Sequence, residues 1–307
     1  MRFKPAKVGQ GLFTNFVITT LASWYYNILY VNNIPNLYDT MAKTCVVQTW
    51  YLAVDFQCFL LGLFSLMLLN WRYWVGVGFC GFCIMSSIII KAVQSDYFGF
   101  YPISYLWDGY PQHGKSESLY DDHLYYAASY FNIFMRMDTY FLGVLYGLLF
   151  RQLKDGNLTK LRRLPLWSQI IGWLVASLCL LGALYGTHGY YLHDVSQTVS
   201  NFYNATFRMA WALGLAWFLF AAEFGYAEPV RYILSLDIWF VIGRLSYGIY
   251  LIHLFVYKFY YAQLRQAIYF THLSLFFTHL AVFTISTCAA FALHFVIEIP
   301  LKLYMDR

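Results

Sequence analysis

Tyr73-Trp-Val-Gly-Val-Gly-Phe-Cys-Gly-Phe-Cys-Ile-Met-Ser-Ser-Ile-Ile-Ile90 runs without one Asp, Glu, Lys or Arg. As a helix it would extend for about 27 Å at 1.5 Å per residue, close to the hydrocarbon thickness of a bilayer. Leu164–Thr187 and Gln266–Ile297 are equally free of formal charge, and the second is long enough to tilt. Four more apolar runs are interrupted by ionisable groups: Leu52–Leu69 by Asp55, Ala128–Phe150 by Arg136 and Asp138, Phe207–Phe224 by Arg208 and Glu223, and Ile238–Tyr261 by Arg244, His253 and Lys258. Continuous apolar runs of this length, without the short alternation of a membrane barrel, predict helices. The expected fold is all-α: a polytopic membrane helix bundle of about seven transmembrane helices, a single membrane domain over 1–307 with its bundle at 52–299.

Composition supports this reading. Of 307 residues, 60 % are hydrophobic, 22 % are aromatic and 11 % are charged. A water-soluble domain carries charge on about a quarter of its residues, so a soluble enzyme is excluded and the lipid bilayer is the expected solvent. The net charge of +5 is modest and is not gathered into an arm, so no nucleic-acid partner is expected. Its distribution speaks of orientation instead. Arg151, Lys154, Lys160, Arg162 and Arg163 crowd the segment 151–163 against Asp155 alone, which the positive-inside rule assigns to the cytosol. Alternation then makes 1–50 an extracytosolic front segment and puts loops 94–127, 188–205 and 262–272 on the same far side. Arg2, Lys4 and Lys7 break that pattern.

The six cysteines are scattered, most of them in apolar runs, and predict no disulfide framework. Cys80 and Cys83 have redox-motif spacing but lie in the quoted helix, where packing is their expected role. Gly143-Val-Leu-Tyr-Gly147 reads as a small-residue face for close helix approach. The histidines show no ligand spacing on one helix, so no metal or other bound cofactor is expected.

Ionisable residues kept inside membrane helices usually mark a polar interior. Ser246, Tyr250, His253 and Tyr257 fall on one face of their helix, and the imidazole is the group best suited to exchanging a proton near neutral pH. A hydrogen-bonded interior histidine is the plainer reading of His253. His294 and Glu298 are neighbours at i, i+4, ahead of Pro300, where the carboxylate could orient the imidazole or tie off a helix end.

These residues carry a resemblance. Trp24-Tyr-Tyr-Asn-Ile-Leu-Tyr-Val-Asn-Asn33, Cys45-Val-Val-Gln-Thr-Trp-Tyr-Leu-Ala-Val-Asp-Phe-Gln57, Arg136 with Tyr140, Arg208-Met-Ala-Trp211, Arg244-Leu-Ser-Tyr-Gly-Ile-Tyr-Leu-Ile-His253 and Glu298-Ile-Pro300 stand in the order that resembles the acyltransferase 3 family, in its nose-resistant-to-fluoxetine-like branch. The resemblance implies a multi-pass acyltransferase of the endoplasmic reticulum or plasma membrane. It would move an acyl group from an acyl-CoA-type co-substrate to a hydroxyl acceptor on a lipid or carbohydrate. The residues expected at the site are His253 as the catalytic group, with Asp55, Arg136, Arg208, Tyr250 and Glu298 binding substrate. The alternatives are a non-enzymatic lipid or small-molecule transporter, which would use the same buried charges as a substrate path, and a catalytically dead paralogue. Members of the family carry an Arg and a His on a first membrane helix that has no counterpart in this sequence. Together with the misplaced Arg2, Lys4 and Lys7, this predicts about a hundred or more residues upstream, enough for about three helices and their loops. Relatives often have Cys before the aromatic pair where this chain has Ala22 and Ser23, so Cys45 would lack an extracytosolic disulfide partner.

Overall fold

A computed structural model describes residues 24–34, 47–99, 130–155, 164–188, 195–264 and 271–305. The described residues are helical with short connections, and they contain no strand. We number the helices α1 (Trp50–Trp71), α2 (Tyr73–Phe98), α3 (Met137–Lys154), α4 (Leu166–Tyr185), α5 (Gln197–Glu223), α6 (Glu228–Leu234), α7 (Asp237–Gln263), α8 (His272–Leu293) and α9 (Ile299–Met305). Among these residues six helical runs are long and apolar enough to cross a membrane: α1, α2, α4, α5, α7 and the continuous run His272–Met305. The chain is an integral, multi-pass membrane protein. The seventh expected span, α3, is a helix of 18 residues, and Asp138, Arg151 and Lys154 leave it more polar than the other six.

The chain divides into two compact units. In the larger, residues 25–42 and 50–231, α2 is the central helix: α1, α3 and α5 pack on it, and α4 packs on α5. Its buried positions, Gly76, Cys80, Cys83, Ile84, Ser87, Lys91 and Ser95, step along one face at helical spacing. Cys80 and Cys83 belong to an apolar core with Ile84, Met137 and Phe141, as the packing expectation required. One end of this unit is defined by Tyr73, whose hydroxyl accepts from Gln152 at 2.8 Å, and by Lys154, 3.4 Å from Glu223. At the opposite end Asn201 donates to Asp96 at 2.7 Å and Asn204 donates to Ser95 Oγ at 2.8 Å.

Three expected boundaries move, each for a physical reason. The helix expected to stop at Ile90 continues to Phe98 and closes on Gly99, whose φ of 66° is the left-handed cap that glycine accepts freely. The helix expected from Phe207 starts at Gln197, because Gln197, Asn201 and Asn204 are satisfied against the end of α2. The span expected over 128–150 is not one helix. Its described part opens with a 3₁₀ turn, Ile133–Met135, capped by the Asn132 side chain, and α3 begins only at Met137. Among the described residues nothing lies within 4 Å of a Cβ built at Gly143 or Gly147, so these residues make no close helix approach there. That role falls to Gly172 and Gly214, against Trp217 and Leu180.

The smaller unit comprises residues 1–24, 43–49 and 232–307. In its described part α7 pairs with α8, and Gly248 permits close approach to Ala290. α8 is opened by a capping box in which Thr271 and Ser274 each accept from the other's backbone N–H. It runs through a π-helical turn, His294–Glu298, into α9. Pro300 has no N–H to give the Val296 carbonyl and crowds it sterically, and the wider turn, with the Ile299 N–H reaching His294, relieves both. Cys45, the basic residues Arg2, Lys4 and Lys7, and most of the front segment lie outside the described residues.

Candidate functional site

In the larger unit the segment before α3 is fixed from every side. Asn132 accepts from the Phe134 N–H at 3.1 Å, Ser87 of α2 donates to the Phe134 carbonyl, and Thr139 donates to the Arg136 carbonyl at 2.8 Å. Asn33 and Gln57, both within the motifs quoted above, form a reciprocal amide pair at 2.8 and 3.1 Å. Gln57 also donates to the Tyr30 carbonyl at 2.9 Å, and Asn33 reaches the Phe131 carbonyl at 3.4 Å. These bonds use up amides that would otherwise be costly in an apolar bundle and hold the Phe131–Arg136 segment at the mouth of α3.

Arg136 emerges from this turn with its guanidinium 5.5 Å from the Trp50 ring and 5.3 Å from the Tyr130 ring. Arg208 lies over Phe207 at 4.9 Å and donates to the Met135 carbonyl at 3.4 Å. Beside them is a group that the sequence reading missed. Lys91 Nζ stands 2.5 Å from Asp138 Oδ2, with the two side chains 1 % and 0 % exposed. The charges of Arg136 and Arg208 both act on Lys91, so Asp138 and three cationic side chains share this region of the bundle. A lysine directly after a charge-free run reads as the end of that run, and this hides Lys91. Its place on the stripe of Cys80, Ile84 and Ser87 was the available signal.

Asp55, on the same motif as Gln57, is exposed on the second turn of α1, and its charge acts on Cys58 and Tyr140. Thus Asp55, Arg136 and Arg208 belong to the larger unit, whereas Tyr250, His253 and Glu298 belong to the smaller.

In the smaller unit Gln48 is buried and clamps α7. Its Nε2 donates to the Leu251 carbonyl at 2.9 Å, and its own backbone carbonyl accepts from the Tyr250 hydroxyl. His253 Nδ1 is 2.6 Å from the Tyr250 carbonyl. A carbonyl only accepts, so Nδ1 carries a proton, and in the neutral ring Nε2 is the nitrogen with the lone pair. Of the remaining stripe, Ser246 bonds its own helix at the Gly243 carbonyl, and Tyr257 packs edge-on to His279 of α8 at 5.8 Å between ring centroids. His294 Nδ1 bonds Glu298 Oε2 at 2.8 Å, with the carboxylate largely exposed.

Fold and site define an all-helical membrane protein with charged side chains and histidines set into its helices. The chain belongs to the acyltransferase 3 family, whose sequence profile, described as an acyltransferase domain, matches residues 10–298. It is 27 % identical over 257 residues to nose resistant to fluoxetine protein 6 of Caenorhabditis elegans, an alignment that covers 81 % of this chain and 30 % of that protein. The chain thus spans well under half the length of this relative. No solved structure matches it.

Proposed function

We propose that this chain transfers an acyl group from an acyl-CoA-type donor to a hydroxyl of a lipid or carbohydrate, with His253 handling the proton. The observation that carries the reading, beyond membership of a membrane acyltransferase family, is the tautomer imposed on His253. With Nδ1 engaged at 2.6 Å by the Tyr250 carbonyl, Nε2 is available to accept a hydroxyl proton. Tyr250, itself tied to Gln48, keeps that carbonyl in place. In the transfer the hydroxyl oxygen attacks the thioester carbon, the carbon–sulfur bond breaks, and the proton taken by the imidazole returns to the departing thiolate. Arg136 and Arg208 supply positive charge for donor or acceptor oxygens, Asp55 is a charge partner, and Glu298 binds substrate beside His294.

The test is His253→Gln and His253→Ala in the longest natural form of the protein, assayed for acyl transfer at matched protein levels. Loss of transfer with normal abundance is the expected result. Transfer at the wild-type rate would leave His253 as a packing residue and remove it from the mechanism. Acyl-CoA left unconsumed by the unmodified protein, whatever hydroxyl acceptor is offered, would favour the transporter reading.

A further inference from the structure

Arg136 poses a problem that the described residues do not solve. Its Nε is shut off from solvent without a hydrogen-bond partner, and its side chain makes no ion pair or hydrogen bond among those residues. It is met by the faces of Trp50 and Tyr130. Rings can stack on a guanidinium, but they cannot satisfy its fork of five N–H donors.

Two residues along the chain, Asp138 Oδ1 is buried and equally without a partner. A guanidinium and a carboxylate two residues apart attract each other, although side chains at i and i+2 of a helix do not face one another. Two further features hold them apart. Lys91 takes the other carboxylate oxygen at 2.5 Å and neutralises the charge that would draw the arginine in. The Trp50 and Tyr130 rings, whose own centroids are 4.9 Å apart, hold the guanidinium to their side. Leaving the Arg136 donor unsatisfied inside an apolar bundle is costly, which is a reason to look for a ligand that accepts from it.

The level in the bundle narrows the ligand. Arg136 lies at the start of α3, the end opposite Arg151 and Lys154. Lys91 is seven residues from the end of α2, about 10 Å at 1.5 Å per residue. A Trp and a Tyr beside a guanidinium near a helix end is the arrangement of a membrane interface, the depth at which lipid headgroup phosphates lie. A phosphate oxygen pair matches the arginine fork in geometry and charge.

We propose that Arg136, stacked on Trp50 and Tyr130, is a binding site for the phosphate ester of an amphiphile, and that Lys91 is the positioning residue that keeps its guanidinium free by holding Asp138. The site rests on the acyltransferase reading only in taking this phosphate to be part of a substrate; the binding itself needs no turnover. No bond is made or broken in it.

The experiment measures binding to the purified full chain in detergent, by native mass spectrometry, with no acyl donor present. Dioleoyl phosphatidate is compared with dioleoylglycerol, which has the same chains and no phosphate. Phosphatidate is expected to bind, and Arg136→Gln to weaken it roughly tenfold to a hundredfold. Arg136→Lys should recover only part of the loss, because the ammonium is a point charge. Lys91→Gln, with Arg136 intact, should weaken binding similarly as Asp138 captures the guanidinium, and Lys91→Gln/Asp138→Asn should restore it. A structural role for Lys91 would give no such restoration, since the double variant lacks the ion pair altogether. A second arm titrates palmitoyl-CoA into the same variants. If Arg136→Gln weakens palmitoyl-CoA and leaves phosphatidate unchanged, the phosphate ester bound is the donor's, and the site stands with that source. Indifference of both phosphate probes to Arg136→Gln would overturn the proposal. Failure of the acyl-transfer assay alone would leave these binding results intact.

Discussion

Lys91 of α2 and Asp138 of α3 form an ion pair at 2.5 Å with both side chains closed to solvent. In an apolar bundle, such a pair gives little net stability over a hydrophobic replacement, but breaking it on one side strands a charge, at a cost of about 3–5 kcal/mol. Asp138→Ala is therefore expected to lower the thermal stability of the detergent-solubilised protein sharply, and the paired replacement Lys91→Met/Asp138→Leu to recover most of it. Equal losses in the single and double variants would show that the pair does not act as a unit.

The helices were legible wherever apolar residues ran unbroken, as in α2 up to Ile90 and in α4. Sequence reading failed where polarity was taken to mean exposure. Lys91, Ser95, Gln197, Asn201 and Asn204 look like the borders of loops, yet all lie within helices because each finds its partner on a neighbouring helix. Pairing is a tertiary fact, and a stripe continuing through Lys91 was its one local trace. The site was half visible for the same reason. Arg136 and His253 stood out as charges in apolar runs, whereas Gln48, Asn132 and Lys91, which position them, have ordinary neighbours and act only across the fold.

Asn33 and Gln57 exchange two amide hydrogen bonds, and Gln57 spends a further one on the Tyr30 carbonyl. Replacing Gln57 by Leu keeps the bulk and leaves the Asn33 amide and a backbone carbonyl unsatisfied, at about 1–3 kcal/mol for each group that remains buried. The expected outcome is a lower melting temperature together with faster proteolysis within residues 24–34. Unchanged cleavage there would mean that the pair does not tether this segment.

A Cβ at Gly172 of α4 would stand 2.1 Å from the Trp217 ring of α5, whereas one at Gly143 of α3 would meet nothing within 4 Å among the described residues. Gly172→Val should therefore separate α4 from α5 and reduce the yield of folded protein, while Gly143→Ala should be tolerated or mildly stabilising, since alanine favours helix by about 1 kcal/mol over glycine. The comparison is read by size-exclusion profile and thermal melting. A well-folded Gly172→Val variant would show that the close approach of these helices is not needed.

The topology turns on α3, the shortest and most polar of the long helices. Its end at Lys154 lies with the start of α2, through the Gln152–Tyr73 bond at 2.8 Å, so its beginning is at the level of the α2 end. If α2 crosses the membrane, α3 must cross back, and the positive-inside rule applied to Arg151 and Lys154 predicts that their shared end is cytosolic. Single cysteines introduced into a background without the native ones decide the matter, at the exposed positions Tyr97, near the end of α2, and Asp155, just after α3. In sealed cells a membrane-impermeant maleimide should label the Tyr97→Cys protein at once and the Asp155→Cys protein only after permeabilisation. Labelling of Asp155→Cys alone in sealed cells would invert the orientation, and labelling of both would show that α3 packs in the bundle without passing through the bilayer.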